Sequence, residues 1–153
     1  MSRENARTFY SAEPEEIASH GWNIVSVDHP YNAGIVEFPD GHAIFANESI
    51  ISNGTVEFYL DARAADMSFV LDALSDPSIV SQIPRLSSCA SLPTDKVGAF
   101  GHSFGGATAL QLLLNDTRFA VGANFDGILF GFVIEVGTDS PFILFGTNPR
   151  MKD

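Results

Sequence analysis

Apolar residues recur along this chain in short blocks with two different periods, and clusters of turn-forming residues separate the blocks. Residues 12–19 read as a short helix ended by His20-Gly21, and residues 22–28 (WNIVSVD), rich in β-branched side chains, then read as a buried strand. Between residues 29 and 55, Pro30, Gly34, Pro39, Gly41 and Gly54 interrupt any period and predict a long surface excursion. Over residues 61–74 the apolar positions Ala62, Ala65, Phe69, Val70, Ala73 and Leu74 fall at helical spacing, with Asp61, Asp66 and Asp72 largely on the other side. That pattern predicts a helix packed on a sheet. Asp76-Pro77 and Ile83-Pro84 break it, and residues 87–95 form a polar linker.

The second half alternates more regularly. Residues 96–100 (KVGAF) predict a short buried strand and residues 107–114 (ATALQLLL) a helix, while residues 120–125 (AVGANF) and 142–145 (FILF) are two further strands between Gly-rich loops. Strands alternating with helices predict an α/β fold with a mainly parallel sheet and helices on both faces. No internal repeat is visible, and residues 1–153 are read as a single domain.

Composition narrows the classes open to such a fold. With 45% hydrophobic and 18% charged residues, the 153-residue chain can bury a core. No run of eighteen apolar residues occurs and the start, MSRENARTFYSAEPEE, is polar, so neither stable membrane insertion nor a signal peptide is read, and the compartment stays open. A formal net charge of -11 repels phosphate backbones and anionic membrane surfaces, which argues against a nucleic-acid partner. The single cysteine, Cys89, cannot form an internal disulfide or by itself a zinc site, and is read as inert. The acidic residues are scattered and the histidines lack ligand spacing, so no metal and no other cofactor is implied. Sequons begin at Asn47, Asn53 and Asn115, an excess that hints at a secretory history, although a turn at Asn53-Gly54 and a helix end at Asn115 are the preferred reading.

The candidate chemistry lies in the turn GHSFGG, between the strand and helix of the second half. Gly101-His102-Ser103-Phe104-Gly105 fits G-x-S-x-G in the strand–turn–helix context that such a nucleophile requires. A sharp, strained turn projects the Ser103 hydroxyl from the sheet edge; Gly101 and Gly105 leave room for the close approach of strand and helix, and Gly106 extends that clearance. A phosphate-binding loop fits less well, because no lysine follows the glycines. A plain glycine-lined turn remains the alternative.

A serine hydroxyl becomes a good nucleophile only when a histidine removes its proton and an acid fixes that histidine. Asp126 closes a predicted strand and precedes Gly127, the right place for the acid, the lesser alternative being a helix cap or turn residue. In this fold class the order is serine, acid, histidine, whereas His20, His29, His42 and His102 all precede Ser103. His102 is next to the nucleophile but points the wrong way to be its base. The backbone N–H of Phe104 supplies one oxyanion donor, and the loop that normally supplies the second is not recognised. The expectation is therefore a partial α/β-hydrolase domain, apparently truncated, lacking N-terminal strands and the C-terminal strand and helix, with sheet edges left unprotected and marginal solubility.

Several blocks together resemble the platelet-activating factor acetylhydrolase family in its fungal form: ARTFYSAEPEEIASHGW, VSVDHPYNAGIVEFPDG, DARAADMSFVLDAL, VGAFGHSFGGATAL and VGANFDGILFG. They cover nearly the whole chain and read as the family's central part. The resemblance implies calcium-independent hydrolysis of the short acyl ester at the second glycerol carbon of a phospholipid, through an acyl-enzyme on Ser103. It implies Asp126 as the acid, with the family's histidine falling after residue 153 and its oxyanion loop before the ARTFYS block. His29, in VDHPY, would line the pocket, or be a plain turn residue; His102 is a second possible pocket residue. VEFPDG with His42 is a wall or lid, or more simply a surface loop. Three functions stay open. They are a serine esterase of acetylhydrolase type acting on a small ester or phospholipid, an inactive remnant of one, and a relative acting on a polyester or xenobiotic ester. Activity of the chain alone is in doubt for want of the histidine.

Overall fold

A computed structural model describes residues 10–47, 54–84, 86 and 91–146 of the chain. Cys89, Asn53 and residues 87–90 of the polar linker fall outside these residues. The chain divides into two compact units, residues 1–54 and 55–153.

In the first unit, α1 (Ala12–Ser19) has the expected bounds and buries no residue. It ends where the Gly21 N–H donates to the Ala18 carbonyl, with Gly21 at φ 91°, a left-handed C-terminal stop that glycine adopts without steric cost. Residues 22–28 are not the buried strand that their composition predicts. Trp22 is 70% exposed and Val25 48%, and no described residue forms a ladder with them. β-branched composition favours a strand only where a neighbour supplies ladder hydrogen bonds and a packing surface. The predicted irregular excursion holds a short antiparallel hairpin instead, β1 (Ile35–Glu37) and β2 (Ala43–Phe45), with Val36 opposite Ile44. Asp40-Gly41 turns it, as the His42 N–H donates to the Asp40 carboxylate and the His42 ring stacks on Phe38 at 5.6 Å. VEFPDG is thus the turn of a hairpin.

The second unit opens with α2 (Val56–Ser75), longer at its start than its periodicity predicts because the Thr55 hydroxyl caps it, accepting from the Phe58 N–H. Its inward stripe is Leu60, Ala64 and Leu71, with Met67 against the same core. Phe69, expected inward, is 70% exposed, and Ala62 and Ala65 face out. Asp76 ends α2 and caps the single turn α3 (Pro77–Val80), accepting from the Ser78 N–H, and the Ser78 hydroxyl together with that N–H holds its carboxyl below the usual range.

Three strands follow in one parallel sheet, β3 (Val97–His102), β4 (Phe119–Phe125) and β5 (Phe142–Phe145), in that spatial order. Between β3 and β4 runs α4 (Phe104–Asn115), packed on both, and α5 (Val133–Val136) precedes β5. The mainly parallel α/β architecture is as expected. The helix α2 packs on α4 rather than laying its length on the strands, and the shared core holds Leu71, Ala99, Leu110, Leu112, Leu113, Phe119 and Val133. Leu60 and Leu112, each 1% exposed, contribute about 2–3 kcal/mol apiece. On the sheet face away from α4, Phe100 meets Phe125 edge-on and Phe125 stacks on Phe145, all three at least 37% exposed.

Candidate active site

The carboxyl ends of β3 and β4 bring together Ser103 and Asp126. His102 and Phe125 are opposite one another in the register, so the residues that follow them leave adjacent strands side by side. The Ser103 N–H donates to the Phe125 carbonyl at 2.9 Å and the Asp126 N–H to the Phe145 carbonyl at 2.6 Å, which carries the ladder across the edge. Both residues then turn sharply. Ser103 lies at φ 54°, ψ -120° and Asp126 at φ 55°, two of the three non-glycine residues with positive φ among those described. Backbone of this kind costs about 1–3 kcal/mol per residue and persists only where the surroundings fix it.

Ser103 stands at the N-cap of α4 yet makes no side-chain capping bond. Serine is favoured at that position because its oxygen can accept from the first turn. Here the backbone angles withhold the hydroxyl from the helix, which is what a nucleophile requires. Phe104 is the first helical residue, so its N–H has no acceptor inside the helix. Its ring is held on two sides, by Phe130 at 6.1 Å and by the Arg63 guanidinium at 4.8 Å from the ring centroid.

The glycines of the turn divide the work differently from the expectation. A Cβ at Gly101 would come within 2.5–2.9 Å of the Gly105 backbone, so that glycine is required. The Cβ position of Gly105 is open; its main chain, not its missing side chain, makes the tight contact. Gly106 is the more demanding neighbour, because a Cβ there would collide with the side chain of Asn124. Asn124 is 0% exposed and was not singled out from the sequence. Its carboxamide oxygen accepts from the Gly127 N–H at 2.8 Å and its NH₂ donates to the Gly127 carbonyl at 3.0 Å. A Cβ on Gly127 would in turn collide with the Ser103 carbonyl oxygen.

The remaining candidates are two histidines, a sequon asparagine and any metal-ligating cluster. His102 is the last residue of β3, exposed, on the sheet face away from α4. His29 belongs to the first unit, where its carbonyl accepts from the N–H groups of Asn32 and Ala33 in a turn that has Tyr31 at φ 65°. Asn115, of the third sequon, is exposed at the C-terminus of α4. No group of three or more metal-ligating side chains occurs among the described residues. Among them, too, no helix is long and apolar enough to cross a membrane.

At the opposite end of α4, sequence reasoning also missed an ion network. Arg118 donates to both carboxylate oxygens of Asp116 and to Asp72 on α2, at distances down to 2.6 Å, and the Ser68 hydroxyl donates to Asp116 at 2.8 Å. The hydrogen bonds from Arg118 hold the Asp116 carboxyl far below its ordinary value. Ser68 lies 48 residues before Asp116 and Asp72 lies 46 before Arg118, so no local spacing announces the network.

The chain is similar to known proteins. Residues 86–140, which include the elbow and Asp126, match the family model described as platelet-activating factor acetylhydrolase, isoform II. The chain is 35% identical to a probable 1-alkyl-2-acetylglycerophosphocholine esterase of Arthroderma benhamiae, over 96% of this chain and 36% of that protein. It is 31% identical to the platelet-activating factor acetylhydrolase of Bos taurus, over 93% of this chain and 37% of that one. Among solved structures, a ferulic acid esterase from Streptomyces cinnamoneus superposes with a TM-score of 0.69 at 32% identity, covering 86% of this chain and 36% of that chain. The chain thus spans a little over a third of the length of the relatives it matches. From the elbow glycines to the strand-end aspartate, and by similarity along nearly its whole length, this chain is a relative of the platelet-activating factor acetylhydrolases.

Proposed function

We propose that this chain carries the nucleophile and acid of a serine carboxylic-ester hydrolase that cleaves a short acyl ester from a glycerophospholipid. The observation that carries the reading is Ser103 itself, a serine at a strand-to-helix turn, at φ 54°, with its hydroxyl kept out of the helix cap. In the reaction the Ser103 oxygen adds to the ester carbonyl, and the developing oxyanion takes the Phe104 N–H at the positive end of α4. As the bond to the alcohol oxygen breaks, the proton given up by the Ser103 hydroxyl passes through the base to that oxygen, the acyl group stays on Ser103, and water, giving its own proton to the base, releases it as the carboxylic acid. Asp126, beside Ser103 on the next parallel strand, has the position of the group that orients the base. All four histidines of the chain precede Ser103, so no histidine lies between Asp126 and Asp153.

The relatives' names favour an acetylated glycerophosphocholine as the substrate, and the ferulic acid esterase likeness supports a second reading, another carboxylic ester on the same elbow. Incubation with a fluorophosphonate probe and an activated short-chain ester, with Ser103→Ala as control, tests the proposal. Ser103-dependent labelling is expected. An unlabelled native chain would remove the case for catalysis by this chain and favour a remnant of such an enzyme.

A further inference from the structure

We propose that Asn124 is a positioning residue that locks the acid's turn to the nucleophile's turn, so that Ser103 and Asp126 are set by one buried side chain; this rests on the reading of those two residues above. A wholly buried carboxamide in the middle strand of an apolar sheet is costly unless each of its polar groups is satisfied. Asn124 meets that condition with a single partner, Gly127, through both the N–H and the carbonyl. Packing alone does not call for an amide there, since an apolar side chain would fill the same volume without polar atoms to satisfy.

What the amide provides is closure. Its two bonds span Phe125 and Asp126 and fix a loop in which Asp126 sits at φ 55°. The same side chain occupies the space that a Cβ at Gly106 would take, in the first turn of the helix that Ser103 begins. Gly127, held by Asn124, lies so close to the Ser103 carbonyl that only glycine fits. The Ser103 N–H is tied to the Phe125 carbonyl, inside the span that Asn124 closes. Three contacts from one clamp therefore converge on the two positive-φ residues, and none of them needs to touch substrate.

The test uses the full chain, with Asn124→Ala and the isosteric Asn124→Asp, which keeps the acceptor for the Gly127 N–H and loses the donor to its carbonyl. The first readout is amide hydrogen exchange. Asn124→Ala is expected to speed exchange at Gly127 and Ser103 at least about tenfold more than at Leu112 and Leu113 of α4. The second is the rate of Ser103 phosphonylation, expected to fall about tenfold or more, because small displacements of reacting groups are costly. Asn124→Asp should lie between the native chain and Asn124→Ala in both, and it decides the matter should Asn124→Ala not fold. Exchange that accelerates equally in α4 and in the two turns, or a folded variant labelled within about twofold of the native rate, overturns the clamp. If the native chain is not labelled at all, the hydrolase reading fails on its own, and selective against uniform exchange still decides the role of Asn124.

Discussion

The two ends of α4 solve opposite problems. At its N-terminus, Ser103 and Asp126 adopt unfavourable backbone angles, glycines press against neighbouring chain, and a buried asparagine holds the turns. At its C-terminus, Asp116, Arg118, Ser68 and Asp72 form a charge-assisted network that ties α2 to the loop before β4. Strain is concentrated where chemistry is proposed, and compensating bonds lie at the far end of the same helix. The lesson is a division of labour. Substitutions at the elbow should move activity more than stability, and substitutions at the network should do the reverse.

The largest expected effect is at the elbow. Ser103→Ala should abolish probe labelling, a loss of about a thousandfold or more against the native rate, with little change in melting temperature. If labelling persists in that variant, the comparison collapses at its active end. Next is α2, where buried Leu60→Ala should cost about 3 kcal/mol by denaturant titration and exposed Phe69→Ala under about 0.5. Equal costs would return the α2 stripe to the face that the periodicity predicts.

Arg118→Met should cost about 2 kcal/mol by thermal melting, because it leaves the mostly buried Asp116 carboxylate without its bidentate donor, and should leave labelling within about twofold. Asp72, 67% exposed at its side chain, adds little to the same network, and Asp72→Asn should cost under about 0.5 kcal/mol. The pH dependence follows from the sign of the Asp116 shift. Its folded value is depressed, so the stability it contributes is complete above the unfolded value of 3.8 and is lost as pH falls below that toward the folded value. Acid unfolding followed by circular dichroism should be less steep in Asp116→Asn than in the native chain. A last substitution sharpens the comparison at the strained end, where Ser103→Gly should raise stability by about 1 kcal/mol by relieving a positive φ.

Much of this was legible in the sequence, for reasons that differ from residue to residue. Residues 142–145 appear with the expected bounds, and the strands before and after the elbow helix were found to within two residues, because short apolar runs between Gly-rich turns have few other solutions. The adjacent placement of Ser103 and Asp126 was legible because each directly follows a strand, Ser103 within a Gly-rich turn and Asp126 before Gly127. The face of α2 was not, because its alanines fit any stripe and the deciding Leu60 lies before Asp61, outside the periodic window. Residues 22–28 failed because composition reports a tendency to pair and not the presence of a partner. Asn124 was hidden for a related reason. A polar residue within an apolar run gives no sign that its amide closes on Gly127 or fills the gap at Gly106, since both facts belong to the fold.

The most direct measurement is mass spectrometry of the chain quenched during reaction with an activated acetate ester. An acetyl group on the peptide containing Ser103, absent from Ser103→Ala, is the result this account predicts. No acyl adduct, or an adduct on another residue with Ser103 unmodified, would contradict it.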